Sequence, residues 1–324
     1  MNGERANPNH LDQEILIERV EKIFSDGRWN GRAEIAFWND HYYMPFRSGS
    51  EHESSDGKIM MLRSVSREPR GWSLHSMIDT PGDDDEVHIL TDSDRMVAYI
   101  PHEEENSSIG VASSTLVTQS KDGITWTDPL PAYEEGFSFW KPISRAGAHY
   151  LAADTAAGGG RVDLLKSADG VNWQKVSTII EGGFTETALV FLPDHTLAAF
   201  IRQGRVALSP PPYVNWTIHE IPPLGGPAAA RVGSLILVGG RTSARRFPDD
   251  QPGESRTGLF AFDPGAKKLN WKMNMLTQWG GDESYPHFCR IDQRRALMVW
   301  YSGEEYERGV PKQADLLLAT LRVQ

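Results

Sequence analysis

Arg32, Arg47, Arg202, Arg241, Glu186 and Tyr285 each stand at the edge of a short strand-like run. Glu186 precedes the run 187–192 and Arg202 follows the run 196–201. Arg32 precedes 33–38, Arg47 follows 42–46, and Arg241 follows Leu237-Val238-Gly239-Gly240. Tyr285 precedes 286–291, and Trp140-Lys141 and Asp85-Glu86 occupy similar starts. The chain as a whole is acidic, with 33 Lys and Arg against 44 Asp and Glu and a formal net charge of -11. Cations gathered around one cavity are costly unless they are paired or hold an anion. A ligand carboxylate accepts bidentate guanidinium bonds, each charge-assisted bond contributing roughly 1.5–3 kcal/mol. If these edges converge, they make a site for an acidic small molecule.

Convergence requires a fold that returns the chain to one place, and internal repeats point to one. Ser120-Lys121-Asp122-Gly123-Ile124-Thr125-Trp126 and Ser167-Ala168-Asp169-Gly170-Val171-Asn172-Trp173 share the pattern S-x-D-G-x-x-W. Asp folds onto nearby backbone N–H groups and Gly takes a positive φ, so Asp-Gly closes a tight hairpin, over which the Trp is expected to pack. Weaker copies run from Ser64 to Trp72, from Ser209 to Trp216 and from Asp263-Pro264-Gly265 to Trp271. The starts lie 56, 47, 42 and 54 residues apart. A unit of that size, with three or four short strands in each, fits about six times into 324 residues. The expectation is an all-β protein: a six-bladed β-propeller with four-stranded antiparallel blades. Residues 11–23 have helical spacing and end at Asp26-Gly27, so a short N-terminal helix is expected. Residues 1–26 are read as a polar or helical segment and residues 27–324 as a single propeller domain.

In a propeller the innermost strand of each blade starts at the rim of a central funnel, and the second strand ends there. The blade starts are placed at Arg32, near Asp85-Glu86, at Trp140-Lys141, at Glu186, near Ala228–Ala230 and at Tyr285. The second-strand ends put Arg47, Arg202 and Arg241 at the mouth.

S-x-D-G-x-x-W is the Asp-box, or bacterial neuraminidase repeat, and with six blades the chain resembles the sialidase superfamily over nearly its whole length. The stretch from Glu186 to Arg202 is similar to the family's acid, strand, turn, strand and arginine, with His195 in place of the turn Gly. The resemblance implies that Arg32, Arg202 and Arg241 form the carboxylate-holding triad, although the family's R-I-P reads Arg32-Ala33-Glu34 here. It implies that Tyr285, in Gly281-Asp282-Glu283-Ser284-Tyr285-Pro286, is the nucleophile and that Glu186 takes its proton. The family's acid/base aspartate is replaced by His52, within Ser50-Glu51-His52-Glu53. His52 can act as acid or base near neutral pH or bind a substrate hydroxyl, and Glu51 or Glu53 can be the acid instead. Arg47, Trp140, Lys141 and Asp85 complete the expected substrate-binding set.

The implied activity is hydrolysis of an acidic sugar from a chain end. A polysaccharide lyase acting on a uronate and a non-catalytic carbohydrate-binding propeller are the alternatives. No cofactor or metal is expected. His88 and His287 lack zinc spacing, and Asp83-Asp84-Asp85-Glu86 lacks a calcium-loop pattern. Gly158-Gly159-Gly160 is a turn without the Lys-Ser/Thr of a phosphate loop, and no G-x-S-x-G is present. The negative charge argues against nucleic acid and anionic membranes as partners. Cys289 is the single cysteine, which excludes an intramolecular disulfide framework. No apolar run reaches the length of a membrane helix, and residues 1–21 lack an apolar signal core, so a cytoplasmic home is expected, with secretion after removal of a signal as the alternative.

Overall fold

The computed structural model describes residues 14–103, 114–242, 256–275, 283–303 and 313–324. Their strands form six antiparallel sheets, the blades of a β-propeller. Blade one runs from Trp29–Gly31 and Ala36–Trp38 through His41–Gly49 and Lys58–Arg63 to Ser73–Ile78. Blade two runs from Asp83–Asp84 and His88–Thr91 through Met96–Glu103 and Ser114–Ser120 to Leu130–Pro131. Blade three takes Ser138–Phe139 and Ile143–Arg145, then Ala148–Thr155, Arg161–Ser167 and Gln174–Glu181. Blade four comprises Thr187–Phe191, Leu197–Ile201, Arg205–Ser209 and Thr217–Glu220. Blade five comprises Gly225–Val232, Leu235–Thr242, Arg256–Asp263 and Lys268–Asn274. Blade six takes Glu283–Arg290, Arg295–Ser302 and Asp315–Val323, and is completed by Ile15–Phe24 from the other end of the chain.

That last strand corrects the expected N-terminal helix. Within the described residues the segment is extended and pairs antiparallel with Asp315–Val323, from Ile15 opposite Val323 to Phe24 opposite Leu316; residues 11–13 lie outside them. The helical spacing of its apolar residues is real, but an open ladder on Asp315–Val323 satisfies its backbone groups and closes the ring, and tertiary pairing outweighs a weak local preference. Among the described residues no helix is long and apolar enough to cross a membrane.

The two full S-x-D-G-x-x-W turns are built alike. Ser120 Oγ accepts the Gly123 N–H at 2.8 Å, and Asp122 Oδ1 accepts those of Ile124 and Thr125 at 2.8 and 2.7 Å. Ser167 and Asp169 repeat the pattern with Gly170, Val171 and Asn172 at 2.9, 2.9 and 2.8 Å. Gly123 and Gly170 take φ of 73° and 71°, which a side chain would strain. The tryptophans reach the preceding blade and do not simply cover their own hairpins. Trp126 Nε1 donates to Ser76 Oγ at 3.3 Å, and Trp173 packs edge-on against Tyr99. Trp216, in a weaker copy, donates to Ser177 Oγ at 3.0 Å. The repeat therefore joins blade to blade.

Between blades the core is apolar and fully buried, with Phe46, Phe200, Val238, Phe260 and Val299 in one cluster. The innermost strands are irregular at one level. In blades one to three each is split, and the gaps hold Arg32, Asp85-Glu86 and Trp140-Lys141. In blades five and six the ladder shifts register between Gly225 and Ala228 and between Ser284 and His287. Such breaks release side chains from the ladder and re-aim them.

Candidate active site

Tyr285 lies at the centre of the arrangement. Its hydroxyl donates to Glu186 Oε1 at 2.6 Å. Arg202 Nη1 also donates to Glu186 Oε1 and stands 3.4 Å from the Tyr285 hydroxyl oxygen. The second carboxylate oxygen of Glu186 accepts the Gly226 N–H at 2.8 Å. Glu186 is thus an acceptor in all three contacts, which come from blades four, five and six. The guanidinium carbons of Arg32 and Arg241 lie 5.6 and 5.4 Å from the centre of the Tyr285 ring. Trp140 and Tyr301 pack against the same ring at 6.0 and 6.1 Å.

The backbone is strained where these residues sit. Arg32, Glu186 and Tyr285 have φ of 51°, 35° and 49°, and Ser284 has 117°. Bulky L-residues rarely adopt such values, and each such residue costs on the order of 1–3 kcal/mol that the surrounding packing must offset. The ring of blades holds the strain and turns the side chains inward.

Burial, and then the Glu186 charge, push the Tyr285 phenol well above its ordinary pKa, against the opposing pull of Arg32 and Arg202. The resting phenol is neutral and has a carboxylate in hydrogen-bonding contact. Burial alone would lower the Arg32 guanidinium; Glu86, Tyr285, Tyr301 and Glu186 more than offset it, and its pKa is raised.

Gly226 makes this packing possible. Its φ is 58°, and a Cβ there would lie 2.5 Å from Tyr285 Cγ and 2.9 Å from Tyr285 Cα. Gly226→Ala is therefore expected to destabilise by about 2–4 kcal/mol, combining a left-handed alanine with overpacking against backbone. It should also move the N–H that holds Glu186. Thermal unfolding and turnover measured on the same preparation check both effects, and an unchanged midpoint would count against this packing.

The other expected site residues stand as follows. Arg32 Nη1 donates to the Asp85 carboxylate and, at 2.9 Å, to the Asp85 carbonyl; Nη2 lies 2.9 Å from His52 Nε2. Arg32, Asp85 and His52 are thus brought together beside Tyr285. Arg47 does not line the mouth. It is fully buried, with Nη2 and Nε donating to Asp83 Oδ1 at 2.9 and 3.2 Å, Nη1 to the Glu51 carbonyl at 2.9 Å and Nη2 also to the Ser54 carbonyl at 3.0 Å. Its strand end is at the rim, but Asp83 draws the guanidinium into the wall, where it braces the loop carrying His52. Trp140 is buried too, and its indole N–H donates to the Pro227 carbonyl at 3.0 Å. Lys141 is buried 3.8 Å from Glu34. Blade five begins at Gly225, three residues before the expected Ala228. Gly281 and Asp282, part of the Tyr285 motif, lie outside the described residues.

A second cluster was not expected. His88 Nδ1 is 2.7 Å from Glu34 Oε1 and His88 Nε2 is 3.4 Å from Glu86 Oε2. Glu34 Oε2 accepts the Ile89 N–H at 2.8 Å and lies 3.9 Å from His287 Nε2, while His287 Nδ1 accepts the Ile35 N–H at 3.2 Å. Glu86 also stands 3.6 Å from Arg32 Nε, which ties this buried network to the residues around Tyr285. A sequence signal existed: Glu34, His88 and His287 each follow a funnel residue by two, the period that keeps side chains on one side of an extended chain. Among the described residues no group of three or more His, Cys, Asp or Glu is arranged to hold a metal ion.

Burial opposes the charge on Glu34, but His287, His88 and Lys141 outweigh it and hold the carboxyl down at about 2. Glu34 and Glu86 raise His88 against its burial, whereas burial, Lys141 and His88 push His287 down to about 4. A base with a depressed folded pKa confers stability above its unfolded value and loses it as pH falls through the folded value. His287 should therefore withdraw roughly 3 kcal/mol as pH drops from about 6.5 to about 4. Glu34 adds a loss below about 4.5, and His88 gives the opposite slope above about 6.5. Urea unfolding at a series of pH values is the check. His287→Gln should flatten the limb between 6.5 and 4, and an unchanged limb would contradict this assignment.

No family model matches this sequence, and no curated protein matches it. Solved structures do. A crystal structure of a protein of unknown function from Dyadobacter fermentans is similar at TM-score 0.73 and 15% identity, over 96% of this chain and 99% of that one. Trypanosoma rangeli sialidase in complex with 2,3-difluorosialic acid, a covalent intermediate, is similar at TM-score 0.62 and 12% identity, over 96% of this chain and 58% of that one. Bombyx mori GH32 β-fructofuranosidase follows at TM-score 0.56 and 12% identity, over 96% and 62%. This chain thus spans about three fifths of each of the last two. At these identities the likeness is one of fold. The chain is a six-bladed β-propeller, with a phenol, a carboxylate and guanidinium groups gathered where its inner strands begin.

Proposed function

We propose that the protein is a glycoside hydrolase that releases a carboxylate-bearing sugar, with Tyr285 as nucleophile and Glu186 as its base. The observation that carries this reading is the 2.6 Å contact between the Tyr285 hydroxyl and Glu186, flanked by arginines. A carboxylate beside the anomeric carbon repels an anionic nucleophile, whereas a neutral phenol approaches it and becomes anionic only as it attacks. Glu186 takes the phenol proton while Arg32, Arg202 and Arg241 stabilise the charge that develops on the oxygen. Orientation of the substrate carboxylate falls to the same guanidinium groups, Arg32 and Arg241 beside the Tyr285 ring and Arg202 beside its hydroxyl. A protein of the same fold held as a covalent 2,3-difluorosialic acid intermediate supports the reading.

The test compares 4-methylumbelliferyl N-acetylneuraminide with the analogue whose carboxylate is reduced to an alcohol. Arg202→Ala should lower kcat/KM on the first at least tenfold, which needs only about 1.4 kcal/mol. Equal turnover of both substrates by the parent protein would remove the anion site from the proposal. Release of an unsaturated uronate from a uronate-containing glycan would assign the site to a lyase.

A further inference from the structure

Hydrolysis at Tyr285 needs a group that protonates the leaving oxygen, and His52 is badly placed to be it. A guanidinium only donates, so the His52 Nε2 that faces Arg32 Nη2 at 2.9 Å carries a lone pair and no proton. Glu53 is exposed.

Another carboxyl lies against Glu186. Asp154 is the penultimate residue of Ala148–Thr155, the second strand of blade three, so it stands at the rim by the same geometry that places Arg202. Its Oδ1 accepts the Glu186 N–H at 3.1 Å, its one hydrogen bond among the described residues. Glu186 is met by three donors and Asp154 by one, so the two neighbouring carboxyls have opposite environments. We propose that Asp154 is the acid/base of this site, donating its proton to the leaving oxygen while Glu186 and Tyr285 form the nucleophilic pair. This rests on the hydrolase reading above.

The charged groups that act on Asp154 are Glu186 and Arg202 of blade four and Glu86 of blade two. Burial first, then Glu186 and Glu86, push its carboxyl up to about 8, against the Glu186 N–H and Arg202. It is therefore protonated at neutral pH while Glu186 accepts. A protonated carboxyl beside one that accepts three hydrogen bonds divides acid and base roles. In the first step Glu186 takes the Tyr285 proton, the phenol oxygen bonds to the anomeric carbon, the glycosidic C–O bond breaks, and the leaving oxygen takes the Asp154 proton. In the second step water gives its proton to the Asp154 carboxylate and its oxygen to the anomeric carbon. The bond to Tyr285 breaks as the bond to water forms, and Glu186 returns the proton to the phenol oxygen.

Asp154→Asn keeps an oxygen for the Glu186 N–H but has no acidic proton. On 4-methylumbelliferyl N-acetylneuraminide, whose leaving group needs little protonation, its kcat/KM should fall less than tenfold, and this also reports a folded site. On an N-acetylneuraminyl lactose, whose leaving oxygen needs the proton, the fall should be on the order of a hundredfold or more. The decline of parent activity as pH rises through about 8 should vanish in the variant. Sodium azide, which attacks without a base, should raise kcat on the fluorogenic substrate and yield a glycosyl azide. Equal losses on the two substrates, or no loss on either, would overturn the proposal while leaving the hydrolase reading intact. So would a leaving-group-dependent loss appearing in His52→Gln in place of Asp154→Asn. No turnover of either substrate by the parent protein would overturn both readings.

Discussion

Tyr285→Phe should lower kcat at least about a thousandfold, a barrier increase of about 4 kcal/mol, and leave affinity for the acidic sugar within a few-fold of the parent value. The substitution removes one oxygen, and that oxygen is both the proposed nucleophile and the donor to Glu186. Glu186 keeps Arg202 and the Gly226 N–H, so no buried carboxylate is left without a donor. The ring keeps its packing against Trp140 and Tyr301. The melting temperature should therefore stay close to that of the parent, and the loss should fall on the chemical step. Calorimetric titration with free N-acetylneuraminic acid, set beside steady-state kinetics, separates binding from chemistry. A variant that turns over within tenfold of the parent would show that the phenol oxygen forms no bond, leaving a binding propeller or a different nucleophile.

The second large effect falls on stability. Glu34→Ala should cost about 3–5 kcal/mol, the range seen when one partner of a buried ion pair is removed and the other is left behind. The lost carboxylate takes with it the acceptors of His88 and the Ile89 N–H and the nearest counter-charge of Lys141. Domains are commonly stable by only about 5–15 kcal/mol, so a substitution at this one residue would consume a large part of the margin. Urea unfolding at neutral pH measures it. A loss below about 1 kcal/mol would show that the cluster does not depend on Glu34 for its charge balance.

The propeller was largely legible because its joints are written in residues with few other uses. Ser, Asp, Gly and Trp at fixed spacing make one turn with one set of hydrogen bonds, and the period between copies counts blades. The closing strand was misread because Ile15–Phe24 carries helical spacing, and its partner Asp315–Val323 lies nearly 300 residues away in the chain. Around the site, the ends of strands could be read, so Glu186, Arg202, Arg32, Arg241 and Tyr285 were placed on the ring of inner-strand starts. Side-chain depth could not be read. Arg47 lies near the end of its second strand and Arg202 just past the end of its own, yet Asp83 holds one in the wall and Glu186 holds the other at the site. Glu34 and His88 were passed over because each looks ordinary alone. Asp154 ends a second strand much as Arg202 does, but in the sequence only the cations at such ends signal a site for an anion.

The closing strand carries a consequence for the site. The seam at blade six is closed without a covalent link, by the pairing of Ile15–Phe24 with Asp315–Val323, by backbone bonds between Asn30 and Ala314 and between Ala314 and Arg28, and, nearer the site, by His287 against Ile35 and Glu34. Tyr285 and Arg32 lie on opposite sides of that seam, while Glu186 and Arg202 share one blade. Peeling of the first strand, the outermost of blade six, would loosen the hold between the phenol and its flanking guanidinium and leave most of the β-structure standing. The proposed catalysis would fail ahead of the circular dichroism signal, making turnover the most sensitive gauge of a gap in the ring.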